Sequence, residues 1–389
     1  MEEHHVLDRL ISRRVMSMDA SGIRKVFDLG ATLADPINLS IGQPDFPVPE
    51  PMRAAAIKAI EDGHNGYTVT QGIPPLQEAI WAHLGETIGW DGPTSDLGLL
   101  VTSGTSGGLL LAAMALLDPG DEMIIGDPYF VMYPQLGPLT GASMVTCPTY
   151  PDFRMTAERI EPLITERTKA ILLNSPSNPS GVVLGTSDLA EIVQLCHDRG
   201  VMLISDEIYD EFTFPDAHED GVFPSPARLT RELLLVRGFG KTYGCTGWRM
   251  GYVAGPSWLI NQMAKLQQYT YVCPPSMAQW GVIPSFGLEI DDVLQEYACR
   301  RDIVVNSLEP VTRVVRPGGA FYCFIELPQQ LGQTATEFAE RAVRHNVLTI
   351  PGSVFSERDT HLRVSFAVDR EKLQAGMEIL SELMRDPNA

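Results

Sequence analysis

Four short stretches set reactive side chains beside glycine, proline or asparagine, each at the end of an apolar run. The first is RGFGKTYGCTGWRMG (237–251), which places Lys241 eight residues before Arg249. A lysine amine attacks carbonyls and exchanges Schiff bases, provided it is partly deprotonated. An arginine offers a planar fork for phosphate or carboxylate. Gly240, Lys241 and Thr242 also match the tail of the nucleotide-binding pattern G-x-x-x-x-G-K-[ST]. That pattern needs a glycine at position 235, and the residue there is Leu235. The nucleotide reading fails on this point, so Lys241 needs another role.

The second stretch, ISDEIY (204–209), ends an apolar run in Asp206. A partly buried carboxylate needs a partner: a helix N-terminus, an arginine, or the cation of a bound cofactor. Tyr209 can point a phenol into the same space. The third, NSPSNPSG (174–181), carries Asn178. Asn-Pro marks a turn, and an amide at a strand end can also donate to a ligand oxygen. The fourth, TSGTSGG (102–108), leads into a helical pattern. Its glycines allow a tight turn and the helix N-terminus suits a phosphate, although packing alone also selects such turns.

The elements that position these groups are legible as alternating runs. Strands are expected at 97–103, 122–128, 169–176, 201–207, 232–240 and 250–256, with helices at 109–117 and 186–200. Strands spaced by helices predict an α/β fold with a mostly parallel sheet between helices. In such sheets ligands bind beyond the carboxyl ends of the strands, where all four stretches fall. After residue 256 the pattern changes to long helical stretches (257–310). A strand follows at 320–327, a helix near 335–345, a strand at 361–368 and a C-terminal helix. This predicts a smaller α+β domain.

The chain has 389 residues, enough for two or three domains. It carries 29 basic and 49 acidic residues, a formal net charge of −20, which disfavours nucleic acid and anionic membranes as partners. The six cysteines, at 147, 196, 245, 273, 299 and 323, show no C-x-x-C and no zinc spacing, so no metal site is expected. They fit free thiols in a reducing cytoplasm. No stretch approaches the length of a membrane span, and the first residues lack the apolar core of a secretory signal.

Taken together, the chain resembles the class I/II aminotransferases, pyridoxal-phosphate (PLP) enzymes of fold type I. The resemblance rests on LSIGQPDFPVPE (39–50), GYTVTQGIPPLQEAI (66–80), VTSGTSGGLLLAAMALLDPGDEMIIGDPYFVMYP (101–134), NSPSNPSGVV (174–183), ISDEIYDEF (204–212), GKTYGCTGWRMGYVAGP (240–256), PGGAFY (317–322), PGSVF (351–355) and HLRVSFA (361–367). They run in the family's order along nearly the whole chain. The resemblance implies a large PLP-binding domain over 46–289 and a small C-terminal domain over 290–389. It assigns 1–45 to an N-terminal arm and part of the small domain.

It also implies roles. Lys241 matches the lysine that holds PLP as a Schiff base. Asp206 matches the carboxylate on the pyridine nitrogen, and Tyr209 and Asn178 the groups on the ring hydroxyl. Gly104, Thr105, Ser106 and Arg249 match the phosphate site, and Phe130 the aromatic stacked on the ring. Arg363 matches the arginine for the substrate carboxylate, with Gly42 and Asn178 beside it. Tyr67 matches a tyrosine reaching the neighbouring subunit's phosphate, which implies a homodimer. Phe130 and Tyr67 could instead be core aromatics, and Arg363 a surface arginine on an edge strand. One departure is clear: many members carry serines where this chain has Gly238 and Gly240.

The implied activity is transfer of an amino group from an L-amino acid to a 2-oxo acid by a ping-pong mechanism. The alternatives are a PLP lyase on the same fold (a carbon–sulfur β-lyase or an aminocyclopropane-carboxylate-synthase-like enzyme) and a non-catalytic effector-binding module. The module reading is disfavoured because no room for a DNA-binding domain precedes residue 39. Arg9, Arg13, Arg14 and Arg24 could bring a second cation to a dicarboxylate substrate, whereas Met16, Met18 and Ile23 could make an apolar wall. The expected donor is a neutral or aromatic amino acid.

Overall fold

The computed structural model describes residues 10–18, 22, 26, 30 and 33–386. Its centre is a seven-stranded sheet: β2 (Leu97–Ser103), β3 (Glu122–Asp127), β4 (Ser143–Pro148), β5 (Thr168–Asn174), β6 (Met202–Asp206), β7 (Leu233–Gly238) and β8 (Met250–Pro256), in the order β2-β8-β7-β6-β5-β3-β4. Only β8 runs against its neighbours, pairing antiparallel with β2 and β7. The mostly parallel sheet expected from the alternation is therefore present. Buried runs such as ILL in β5 and LLLV in β7 show why: both faces are covered, so the strands are continuously apolar.

Helices cover those faces. Pro74–Ile88 and Thr186–Arg199 pack on one side, and Gly104–Leu116 and Ser257–Thr270 on the other. Leu99, Ile124, Ile171 and Leu235 point to the first core, and Leu100, Ile125, Leu172 and Val236 to the second. This is the period-two alternation of a strand buried on both sides.

The last third builds a second layer. β9 (Tyr322–Glu326), β11 (Ile350–Pro351) and β12 (His361–Ser365) form an antiparallel sheet ordered β11-β12-β9. Helices Asp291–Leu308, Ala335–Arg344 and Arg370–Arg385 pack around Phe321, Phe338, Leu362 and Met377. Two-residue strand β1 (Ile37–Asn38) returns the chain start to this layer by pairing with β10 (Val347–Leu348). β12 is the middle strand and Arg363 is buried in it, so the edge-strand alternative for Arg363 is wrong.

Three details differ from the sequence reading. Strand β4 and the helices Glu50–Glu61, Pro74–Ile88 and Tyr133–Thr140 had no counterpart in it. Glycine and proline at their starts or inside them hide the pattern. The helix expected at 109–117 begins five residues earlier, at Gly104, so the glycine turn is its first turn. The helical region after 256 is three helices separated by Pro275 and by a short turn at 283–287. Arg9, Ile23 and Arg24 lie outside the described residues.

Candidate active site

The carboxyl ends of β2, β5, β6 and β7 and the start of β8 open into a cavity of about 310 Å³ beneath the second layer. Gly42, Gly104, Thr105, Ser106, Phe130, Asn178, Asp206, Tyr209, Lys241, Arg249 and Arg363 all line it. Of the residues expected at the site, Tyr67 alone is absent from the lining. Its ring is 89% exposed, which also excludes a core role in this chain.

Lys241 lies just past β7. Its Nζ donates to the Gly42 carbonyl at 2.5 Å and makes no ion pair among the described residues. Burial lowers its pKa to about 8, and the charges of Arg363 and Arg249 add to this against the opposing pull of Asp206. A large fraction of the amine is therefore neutral near pH 8.

Asp206 ends β6 and is buried, as its apolar run implied. Its partner is neither an arginine nor a helix terminus. The Tyr133 hydroxyl donates to Oδ2 at 2.8 Å, and the Ile208 N–H donates to Oδ1 at 3.2 Å. Burial raises its pKa to about 6, against those two bonds and the Lys241 charge. It is an anion at neutral pH with room for one cationic partner on the cavity side. Tyr209 is fully buried and its hydroxyl meets that of Tyr322 at 3.4 Å. Phe130 stands edge-on to Tyr133, with ring centres 5.6 Å apart.

The anion-binding end is built by close backbone approach. Gly104 opens its helix at φ +67°, and a Cβ there would come within 2.7 Å of Arg249 Nη2. Arg249 itself adopts φ +53°, the left-handed region that non-glycine residues rarely take, and this turns its side chain back over the helix start. Thr105 and Ser106 present first-turn N–H groups to the same end of the cavity.

At the other end, Arg363 is fully buried without a carboxylate. Nη1 donates to Asn178 Oδ1 at 3.2 Å and Nη2 to the Ser40 carbonyl at 2.8 Å, while Nε has no partner among the described residues. The rings of Tyr322 and Phe355 flank the guanidinium at 4.4 and 4.7 Å. Aromatic faces stabilise the cation without supplying a competing anion. The site is thus prepared for an incoming carboxylate.

Sequence reasoning missed Tyr133, Asn174 and Tyr322. Asn174 ties two loops together: its Oδ1 accepts from Asn178 N at 2.9 Å and its Nδ2 donates to the Asp206 carbonyl at 3.0 Å. Tyr133 follows Phe130 at a helical spacing of three, a signal that could have found it. It also missed Arg237, which is buried in ion pairs with Glu207 and Asp210 at 2.8 and 3.0 Å. These pairs hold the β6 loop against β7, and hence Asp206 against Lys241.

A neutralisable lysine, a buried anion, a helix-start anion site and an unpaired arginine fit the carbonyl, pyridine nitrogen and phosphate of PLP and the carboxylate of an amino acid. With this sheet order, they define a PLP-dependent enzyme of fold type I. Residues 34–380 match the family model "Aminotransferase class I and II". The chain is 33% identical over 384 residues to the probable aspartate aminotransferase of Methanocaldococcus jannaschii, covering 96% of this chain and 100% of that one. It is 31% identical to aromatic-amino-acid aminotransferase 2 of Thermococcus litoralis, over 97% and 98% of the two chains. A solved single mutant of Thermus thermophilus aspartate aminotransferase superposes with a TM-score of 0.88 at 32% identity, over 96% and 99% of the two chains. The chain belongs to the class I and II aminotransferase family and is an amino acid aminotransferase that uses PLP.

Proposed function

We propose that this enzyme moves the amino group of a neutral or aromatic L-amino acid to a 2-oxo acid by a ping-pong mechanism, with Lys241 as nucleophile and proton carrier. The observation that carries this reading is that the Lys241 amine and the Arg363 guanidinium share one cavity and neither forms an ion pair among the described residues. When bound, PLP supplies the carbonyl that Lys241 captures and an electron sink that accepts the electrons of the substrate Cα–H bond.

The protein's part is positioning and proton movement. Arg363 and Asn178 bind the substrate carboxylate and so orient its Cα–H bond. With PLP bound, the neutral Lys241 amine would take the proton from the substrate Cα, consistent with its lowered pKa. Asp206 would hold the proton on the pyridine nitrogen of PLP, and Tyr209 and Asn178 would donate to its ring oxygen. Arg249 and the Gly104–Ser106 turn would hold its phosphate, and Phe130 would pack on its ring.

The donor class follows from charge. Among the described lining residues the cations are Lys241, Arg249 and Arg363, and each is already assigned. Arg13 and Arg14 are exposed and do not line the cavity, so within one subunit no described lining cation is left for a second substrate carboxylate. Relatives named for aspartate make aspartate the competing donor.

We also read residues 46–289 and 290–389 as the large and small domains, with 1–45 as arm and edge of the small one. The enzyme works in the cytoplasm as a homodimer. Supporting the dimer, Tyr67, Val69, Tyr269 and Val272 leave apolar surface exposed. The Tyr67 segment is itself held in place: Gln279 donates to Thr68 Oγ1 at 3.0 Å and Gln267 to the Thr70 carbonyl at 2.7 Å. This supports the reading that Tyr67 reaches a neighbour's phosphate site. No helix among the described residues is long and apolar enough to cross a membrane.

The test is a half-reaction. The PLP-loaded protein should show a visible band that borohydride bleaches. A panel of amino acids without oxo acid should convert that band to the amine form of the cofactor, fastest with aromatic donors. Release of a cleaved product with the band unchanged would make the enzyme a lyase. A Lys241→Ala protein that kept the band and the activity would overturn the site assignment.

A further inference from the structure

We propose that Tyr133 is a positioning residue for the cofactor: its buried hydroxyl keeps the Asp206 carboxylate oriented and charged for the pyridine nitrogen. This rests on the PLP reading above and adds to it a residue outside the nine resembling segments' assigned roles.

The argument begins with the cost of a buried carboxylate. Asp206 lies among apolar strands, and burial alone would drive it to the neutral acid, which cannot hold a protonated pyridine. Something must favour its charged form. An arginine or lysine in contact would do so, but it would also neutralise the carboxylate and compete with the pyridinium cation. A neutral donor stabilises the anion and leaves its net charge available.

The structure supplies neutral donors only. The hydroxyl of Tyr133 sits 2.8 Å from Oδ2 and the Ile208 N–H sits 3.2 Å from Oδ1. No arginine or lysine pairs with Asp206 among the described residues. The charged and titratable groups nearest it are Lys241 across the cavity, the adjacent Glu207, which turns away to Arg237, and Tyr209.

Tyr133 is itself fixed. It opens the helix Tyr133–Thr140, is 3% exposed, and meets Phe130 edge-on one helical turn away. One short segment therefore carries both the aromatic expected on the cofactor ring and the clamp on the cofactor's counter-ion. Its phenol stays protonated because burial and the Asp206 charge push its pKa far up, so it acts only as a donor towards Asp206.

The experiment is a double-mutant cycle on PLP affinity, read by equilibrium dialysis and by the pH titration of the visible band. It uses the wild-type protein, Tyr133→Phe, Asp206→Asn and the double variant. Tyr133→Phe keeps the ring and its contact with Phe130, and thermal melting of each apo protein confirms the fold. Tyr133→Phe should weaken PLP binding about tenfold and shift the band's titration midpoint, the loss expected for one hydrogen bond to a charged group. In the Asp206→Asn background the same change should weaken binding less than about twofold. Unchanged affinity and midpoint in Tyr133→Phe would overturn the proposal, as would an equal loss in both backgrounds, which marks a packing role. A wild-type protein that took up no PLP would instead overturn the cofactor reading, so the two failures are distinct.

Discussion

Arg363 Nη1 donates to Asn178 Oδ1 at 3.2 Å, joining two site residues 185 positions apart in the sequence. The bond aligns an amide and a guanidinium on one edge of the cavity, with Arg363 Nε buried and unpartnered among the described residues. A buried, unsatisfied cation of this kind is costly unless a ligand completes it.

Replacing Arg363 by lysine should therefore hurt substrate binding more than the cofactor. Lysine keeps the charge but loses the planar fork. The KM for the amino acid should rise about 100-fold, equivalent to about 2.7 kcal/mol. The visible band of the loaded protein should stay unchanged. Steady-state kinetics with the preferred donor checks this.

The lowered pKa of Lys241 predicts a pH dependence with a definite sign. Below about 8 the amine is mostly protonated and cannot attack a carbonyl. The rate of PLP capture by the apo protein should rise with pH and level off above about 8. Asp206→Asn removes the anion that opposes the lowering, so the midpoint should move to lower pH. Stopped-flow absorbance on the apo proteins measures both.

Asp206 should cost the apo protein stability. Its folded pKa, about 6, lies above its ordinary value of 3.8, so the native state binds the proton more tightly than the unfolded chain. Stability is lost as pH rises from about 4 to 6, and the penalty is complete above that. Apo Asp206→Asn should then melt roughly 2–5 °C above the apo wild type at pH 7.5. The gap should close below pH 4. Calorimetry across this range is the check.

The two glycines that replace family serines should differ when serine is restored. At Gly238 a Cβ would lie 2.8 Å from Ile208 Cδ1 and 3.0 Å from Thr105 Cγ2. Gly238→Ser should destabilise by about 1–3 kcal/mol through overpacking. At Gly240 the nearest atom is the backbone Thr246 Cα at 3.2 Å, a contact relieved by a shift of a few tenths of an ångström, so Gly240→Ser should destabilise less than Gly238→Ser. Its hydroxyl, placed on the cavity wall, should bind PLP at least as tightly as the wild type. Denaturant melts and PLP titration separate the two outcomes.

Arg237 stands alone between two buried carboxylates, Glu207 and Asp210. Arg237→Met leaves both uncompensated and should cost about 3–5 kcal/mol. Because these pairs hold the β6 loop against β7, the surviving protein should also bind PLP more weakly. Urea denaturation gives the first figure and dialysis the second.

The sequence alone determined the α/β alternation and the strands that carry Asn174, Asp206 and Gly238 near their ends, and the family resemblance it carries pointed to the eleven cavity residues brought together here. The alternation and the strand-end candidates rest on local signals, namely apolar runs of strand length, glycine at tight turns and reactive side chains at strand ends, whereas Phe130, Arg363 and Gly42 come from the resemblance. The sequence could not place β4 or the helix from Tyr133 to Thr140, where glycine and proline blur the pattern. Only the tertiary structure decided what each polar group faces. Asp206 needed a partner by any reading, yet that the partner is a tyrosine 73 residues away follows from how the fold brings the start of the helix Tyr133–Thr140 to the end of β6. Arg363 could have lain on an exposed edge, and the pairing of β12 between β11 and β9 buried it between two aromatic rings. Partner choice inside a core depends on packing between distant segments, and no spacing along the chain encodes it.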